Sequence, residues 1–548
     1  MNVEAVPHAS EETRRVVKEI KEAAQAGDDS RAFELANAAL DRGTRHPMLF
    51  NARATWFWEQ GRYMEALSDL EKARGYAPRN PILLDAIGSC LLKLGAWNAA
   101  RSAFDTAIAA SPHFAQTHYK RGLALQMQGE RQEAEAAHSR AVELDPDYAD
   151  ALGSLALIAA GEMNLADVQL YARRALLLDA QQPTAQIALA LAEISQGDVA
   201  AAEDRTRSIL RVAQFGQDPR ANDVLRLLGD AFDHVDNVPF AFAIYSAVNA
   251  KRHEIQARRF ATIRSSVQVG RLTACLENGK PWKSSPPPPP DAEAPAGHVF
   301  VLGFARSGTT LLETVLASHP RVLALDERDC FPVAANELLE SDAGMDRLSS
   351  PDEDQLAVWR KEYWQTVKSH GRSPSGKVFV DKWPFNSRRL PLIARLFPDA
   401  RVLFALRDPR DVVLSCFRHG FVMNQDTIEF LMLENCGRLY SDIMKLAECS
   451  RRMLPLHVHE HRYEDLVANF DSSVRAVCEF IGIEWSAQMR DFRHAADGTV
   501  HRNAQSGDQV RKGLYTGAAG QWRRYRDQLA PVLPILQPWV ERLGYSVD

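Results

Sequence analysis

In the first half of the chain, small and large apolar residues recur at a helical period, and the pattern returns in frames of ~34 residues. In the frame from Pro81 to Phe114, Leu84, Ile87, Gly88 and Leu91 share one predicted helix. Ala100, Phe104 and Ala107 share the next, and Pro112 stands in the turn. The following frame repeats this with Gly122, Leu125, Ala134, Ala141 and Pro146, and the preceding one with Ala54, Phe57, Ala66, Leu70, Ala73 and Pro78. Glycine or alanine lets two antiparallel helices approach closely, and larger apolar residues fill the groove to the next pair. Proline ends the second helix because it cannot continue the hydrogen-bond ladder.

Weaker frames extend the array from about Arg14 to Asp179 and on through Gln196. A further copy is predicted over Asn222 to Ala250, with Gly229, Ala241, Tyr245 and Val248 in register. These frames resemble tetratricopeptide repeats, which implies an α-solenoid with a concave face able to present a peptide, a partner protein or a second copy of the chain. Past Arg258 the pattern fades, and Ser284 to Gly297 (SSPPPPPDAEAPAG) favours extended polyproline backbone, a semi-rigid spacer.

Beyond it the period changes. Short β-branched and aromatic runs at His298–Gly303, Arg321–Leu325, Lys377–Val380, Arg401–Leu406 and Leu456–His459 alternate with amphipathic helices. That alternation predicts a mostly parallel sheet with helices on both faces. The expected organisation is therefore a helical-repeat solenoid over 1–264, a linker over 265–297 and an α/β domain over 298–548.

A length of 548 residues supports more than one core, and a net charge of -6 argues against general nucleic-acid binding. The seven cysteines are scattered without a CxxC pair, which fits reduced thiols rather than a disulfide or zinc framework. No apolar signal-peptide core is visible near the N-terminus, and no stretch approaches the ~18–20 apolar residues of a membrane span. The expected address is cytoplasmic.

HVFVLGFARSGTTLLETVLASHP reads as strand, glycine-flanked loop and helix, with backbone amides and a helix N-terminus forming a nest for phosphate oxygens. The spacing Gly303-x4-Gly308 copies the Walker A loop, yet Thr309 stands where nucleotide-hydrolysing enzymes need lysine, so a kinase or ATPase reading lacks its main γ-phosphate cation. A purely structural strand-to-helix turn stays open for the bare spacing. The longer string FARSGTTLLETVLASHP resembles the phosphosulfate loop of sulfotransferases dependent on PAPS (3′-phosphoadenylyl sulfate), especially the bacterial kind carrying tetratricopeptide repeats. It is also similar to the tyrosylprotein sulfotransferases. The resemblance covers Val299 to Tyr525. It implies a P-loop-like fold and a role for Arg306, Ser307, Gly308, Thr309 and Thr310 in holding the 5′-phosphosulfate.

The remaining polar clusters each follow a predicted strand, and ligands of open parallel sheets sit beyond the carboxyl ends of strands. In RDPRDVVLSCF, Arg407 and Ser415 can clamp one phosphate, and they match the family's 3′-phosphate motif. A surface ion-pair cluster with a helix start at Asp408 is the alternative. LDERD offers Glu327 as a general base for an acceptor hydroxyl. Aligned from His319-Pro320, Glu327 matches the catalytic glutamate of the tyrosylprotein enzymes; acidic residues at such places also cap helices. Where those enzymes carry an arginine that helps hold an acidic peptide, this chain has Asp329.

In VDKWPFN, Lys382 matches the family lysine that steadies charge on the leaving oxygen, while Trp383 and Phe385 read as core. Tyr463 in HRYEDLV fits the family's nucleotide-side tyrosine. Within SGDQVRKGLY, Ser506 resembles a donor-binding serine, and Arg511, Lys512 and Gly513 resemble a 3′-phosphate triplet. His319, His370, His419 and His501 read as structural or surface histidines, without metal-ligand spacing.

The resemblance implies PAPS as donor, adenosine 3′,5′-bisphosphate as product, no metal, and Glu327, Lys382 and Arg306 as catalytic residues. A protein or peptide hydroxyl presented by the repeats is the first acceptor expected. Saccharide, lipid or small-molecule hydroxyls, and an inactive nucleotide-binding scaffold, remain alternatives.

Overall fold

The computed structural model describes residues 10–211, 219–257, 260, 265–285, 294–495, 513–514 and 516–547. The chain forms two compact units, 1–213 and 214–548.

The first unit is a run of helices from Glu11–Gln25 to Val199–Arg211. Its packing follows the small-to-large pairing read from the sequence. A Cβ built on Gly88 in Pro81–Lys93 would lie 2.6 Å from the buried Phe104 ring of Trp97–Ala110, so only glycine admits that ring. At Gly122 the intruding group is His138, whose pKa burial lowers to about 3, so the ring is neutral. Prolines at the first positions of Pro47–Glu59, Pro81–Lys93 and Pro183–Ser195 start helices where no amide donor is needed.

The second unit opens with one more helical pair, Pro219–His234 and Val238–Gln256, in which Gly229 faces Tyr245 as Gly88 faces Phe104. The boundary expected after residue 264 is therefore displaced, because this pair packs with the α/β part. The expected linker is also corrected. Ser265–Asn278 is a helix, and its Val269, Leu272 and Leu276 are buried in the same core as Phe300, Phe379 and Phe404. The proline run itself lies outside the described residues.

Five parallel strands follow: β1 (Gly297–Gly303), β2 (Val322–Asp326), β3 (Val378–Lys382), β4 (Arg401–Leu406) and β5 (His457–Arg462), in the order β2-β3-β1-β4-β5. Alternate residues of β1 feed two cores: Phe300 and Leu302 one, Val299 and Val301 the other. Helices thus cover both faces, as an all-parallel sheet requires. Strand order reverses between β1 and β4, which makes the carboxyl ends of those two strands the topological switch point.

Candidate active site

The switch point is occupied by the loop that leaves β1. A Cβ on Gly303 would lie 2.5 Å from the Ala405 carbonyl oxygen of β4, so glycine is required for the loop to turn there. The Ser387 hydroxyl accepts from the Gly303 amide at 3.0 Å and also contacts the Gly303 carbonyl, pinning the root of the loop. Gly308 caps the helix Thr309–Ala317 with φ +92°, and its missing side chain leaves room for the Tyr463 ring. Ser307, Thr309 and Thr310 are buried at the start of that helix. Arg306 itself takes φ +68°, a left-handed conformation that costs a non-glycine residue about 1–2 kcal/mol and that the surroundings must sustain.

Those surroundings are the other residues expected on the nucleotide side. Arg306 Nε donates to the Ser415 hydroxyl at 3.0 Å, from the loop to the helix Pro409–Arg418. Arg407, which follows β4, donates to the Arg306 carbonyl at 3.0 Å and to the Ala518 carbonyl at 2.6 Å. Its guanidinium lies 4.9 Å from the centre of the Tyr463 ring. Asp408 caps the helix Pro409–Arg418, and Asp411 inside it accepts from the amides of Gly520 and Trp522 at 2.6 and 2.8 Å. Burial pulls the Arg306 pKa down. The same cause pushes Asp411 up, against the pull of the adjacent Arg407.

A second cluster stands at the ends of β2 and β3. The register pairs Asp326 with Lys382, and the Glu327 amide donates to the Lys382 carbonyl at 2.9 Å. Lys382 is 0% exposed, and its ammonium contacts Asp326, Glu327 Oε1 at 2.9 Å and Glu313 Oε2 at 3.2 Å. Burial alone would lower the Lys382 pKa, but the carboxylates of Glu313, Glu327 and Asp326 override it and hold the group well above its ordinary value. Glu313, also fully buried, is pushed well above the carboxylate range by burial, against the pull of Lys382. The Glu327 side chain is 47% exposed, so it faces solvent while touching the buried cation. Its φ of +42° is a second left-handed backbone at the site.

The fold thus gathers Arg306, Ser307, Gly308, Thr309, Thr310, Arg407, Ser415 and Tyr463 around one loop, and Lys382 with Glu327 next to it. Gly513 lies against the Arg493 side chain with φ +94°, and Ser506, Arg511 and Lys512 lie outside the described residues. Trp383 is only half-buried, 4.6 Å beneath the Arg389 guanidinium, rather than in the core; Phe385 packs at the core's edge. Asp329 is paired with both terminal nitrogens of Arg389. His419 is kept neutral, its pKa pushed well below the usual range by burial and by Arg306 and Arg226.

Residues 298–487 match the family model described as "Sulfotransferase family", and residues 51–113 match a tetratricopeptide repeat. The second unit thus contains the stretch that is similar to the sulfotransferase family. An uncharacterized protein of Aquifex aeolicus is 28% identical over 255 residues, covering 45% of this chain and 33% of that protein. Protein-tyrosine sulfotransferase 2 of Gallus gallus is 27% identical over 272 residues, covering 45% of this chain and 69% of that protein. Protein-tyrosine sulfotransferase 1 of Danio rerio is 24% identical over 317 residues, covering 54% of this chain and 84% of that protein. The chain therefore spans a third of the first of these and most of the other two. Among solved structures, MamA is 20% identical with a TM-score of 0.28, covering 29% of this chain and 94% of that one. YrrB, a tetratricopeptide-repeat protein, is 19% identical with a TM-score of 0.28, covering 31% of this chain and 88% of that one.

Sequence reasoning misses two residues within 298–487, the stretch matched by that family model. Glu313 is hidden in the run LLETVL, and the only signal is a carboxylate on an otherwise apolar helix face. Asp411 reads as part of a charged cluster, whereas it anchors amides of a segment far along the chain.

Proposed function

We propose that the chain transfers a sulfuryl group from PAPS to an acceptor hydroxyl. The observation that carries this reading is the contact of buried Lys382 with half-exposed Glu327, next to a phosphate-type loop that lacks the Walker lysine. In the proposed reaction the acceptor oxygen attacks sulfur, a new S–O bond forms, and the bond between sulfur and the bridging oxygen of the donor breaks. Glu327 takes the acceptor's proton. Lys382 and Arg306 steady the negative charge that develops on the bridging oxygen, and adenosine 3′,5′-bisphosphate departs. Arg407, Ser415 and Tyr463 would hold the nucleotide side, together with Ser506, Arg511, Lys512 and Gly513, so that donor and base meet in one geometry.

A protein or peptide hydroxyl is the acceptor we infer, supported by the repeats and by relatives named protein-tyrosine sulfotransferases. Selection of acidic flanking residues is not expected at Asp329, a carboxylate already matched by Arg389. The test is transfer of sulfur-35 from labelled PAPS to peptide, glycan and lipid fractions, with ATP hydrolysis measured beside it. Transfer that depends on Glu327 supports the reading. Full activity of Glu327→Ala would remove that residue as base, and ATP hydrolysis without sulfuryl transfer would remove the donor.

A further inference from the structure

The helical pair that opens the second unit ends in an acidic edge: Asp230, Asp233 and Asp236 recur at helical spacing around the end of Pro219–His234. Asp233 is buried and takes the most partners. Its carboxylate accepts from Arg418 Nη2 at 2.7 Å and from the Tyr525 hydroxyl at 2.8 Å, and pairs with Arg524 Nη1 at 2.8 Å. Its carbonyl accepts from Arg524 Nη2 at 2.8 Å. Asp230 binds the Tyr245 hydroxyl at 2.6 Å and lies 3.6 Å from Arg418, while Asp236 reaches Arg524 from an exposed position.

What these partners hold is the nucleotide side of the site. Arg418 is the last residue of the helix whose Ser415 receives Arg306. Arg226 and Asn249, from the same helical pair as Asp233, donate to the carbonyls of Arg418 and Phe417 at 2.7 and 2.8 Å, satisfying orphan acceptors at that helix's C-terminus. Arg524 and Tyr525 end the segment whose Ala518 carbonyl receives Arg407 and whose Gly520 and Trp522 amides are held by Asp411. Gln521, in the same segment, accepts from Arg418 Nη1 at 3.2 Å. A single carboxylate, outside the residues matched to the sulfotransferase family, therefore ties the helix whose Ser415 receives Arg306 to the segment whose Ala518 carbonyl receives Arg407. Charge-assisted bonds to a buried carboxylate are short and directional, so they fix position as well as contribute energy.

We propose that Asp233 is a positioning residue for the 3′-phosphate end of the donor site, acting through Arg418 on the Ser415 helix and through Arg524 and Tyr525 on the Ala518 segment. This rests on the PAPS reading above. It makes the last repeat-like helical pair part of the donor site's frame rather than of the array that precedes it.

The experiment is titration calorimetry on the full chain with two probes, adenosine 3′,5′-bisphosphate and adenosine 5′-monophosphate, which differ by the 3′-phosphate alone. In Asp233→Asn, which keeps the shape and an acceptor for Tyr525 but loses the charge, bisphosphate affinity is expected to fall about tenfold and monophosphate affinity to hold within about twofold. Asp236→Asn, at an exposed position, should leave both unchanged. If Asp233→Asn is too unstable to purify, Asp233→Glu, which keeps the charge on a longer stem, should show the same selective loss at smaller size. Equal weakening of both probes indicates a general structural role and overturns the proposal, as does no change in either. A wild-type chain that binds no bisphosphate removes the donor reading itself. A wild type that binds it and a variant whose discrimination between the two probes equals the wild type's remove only the role of Asp233.

Discussion

Replacing Lys382 with methionine is the sharpest perturbation of the site, because it keeps the buried stem and deletes the ammonium. The cation lies within 3.2 Å of Glu313, 2.9 Å of Glu327 and closer still to Asp326. Glu327 and Asp326 retain solvent access, whereas Glu313 is 0% exposed, so Glu313 is the carboxylate left stranded. Breaking a buried pair from one side costs about 3–5 kcal/mol, since an uncompensated charge stays inside. At about 2 °C per kcal/mol for a large domain, the second unit's melting transition should fall by about 6–10 °C at pH 8. The first unit's transition should not move. With two units the chain is not two-state, so the transition temperature is the quantity to compare.

The pH dependence carries the sign. Glu313 has a folded-state pKa above its unfolded value already in the wild type, and losing the Lys382 ammonium that opposes this raises it further, so the folded variant holds the Glu313 proton to higher pH than the folded wild type does. Stability then falls as pH rises through the window between those two values, and the deficit should shrink toward pH 5. In the wild type, the raised Lys382 pKa contributes stability that is fully present below the unfolded lysine value of about 10.4, and that is lost only above it, so between pH 5 and 8 this contribution is flat. Scanning calorimetry at pH 5, 6.5 and 8 tests both statements. A deficit of the same size at all three, or none at pH 8, would refute the stranded-carboxylate argument. In the same variant, sulfuryl transfer should fall by about 100-fold or more while bisphosphate binding survives, the pattern of a lost charge stabiliser.

Gly308→Ala places a Cβ at φ +92°, 2.6 Å from the Tyr463 ring, and should weaken bisphosphate binding at least about tenfold through loop strain of about 1–2 kcal/mol plus the clash, as read by calorimetry. Arg407→Lys loses the fork that bridges the Arg306 and Ala518 carbonyls, so bisphosphate affinity should drop about 10–100-fold although the charge is kept. A chain beginning at residue 214 should keep the second unit's melting transition. One beginning at 279 should not, because it lacks the buried Val269, Leu272 and Leu276 along with Arg226 and Asn249; an unchanged transition in the shorter chain would show that these helices are dispensable.

Which features are legible in the sequence follows from which interactions are local. Gly88 and Phe104, or Gly229 and Tyr245, lie one hairpin apart, and their repetition at a fixed period makes the pairing readable from residue spacing alone. Strand ends are readable to within a few residues, since the runs are expected to stop at Gly303, Leu325, Val380, Leu406 and His459 and the strands stop at Gly303, Asp326, Lys382, Leu406 and Arg462, with the polar residues beside those ends converging at one edge. The helix Ser265–Asn278 is hidden because it offers only a narrow apolar face, buried by partners from across the domain. Glu313 is hidden for the opposite reason: a carboxylate within an apolar run has no local cause, and only Lys382, brought beside it by the packing of β3 against the loop helix, accounts for it. Asp411 and Asp233 accept from groups more than a hundred residues away, a distance over which neither spacing nor period carries information. The groups proposed to meet the reacting atoms are thus marked by motif, while those that hold them in place are marked only by the fold. Asp233 is the extreme case, because it lies in a helix that the periodicity assigns to the repeats and the packing assigns to the second unit.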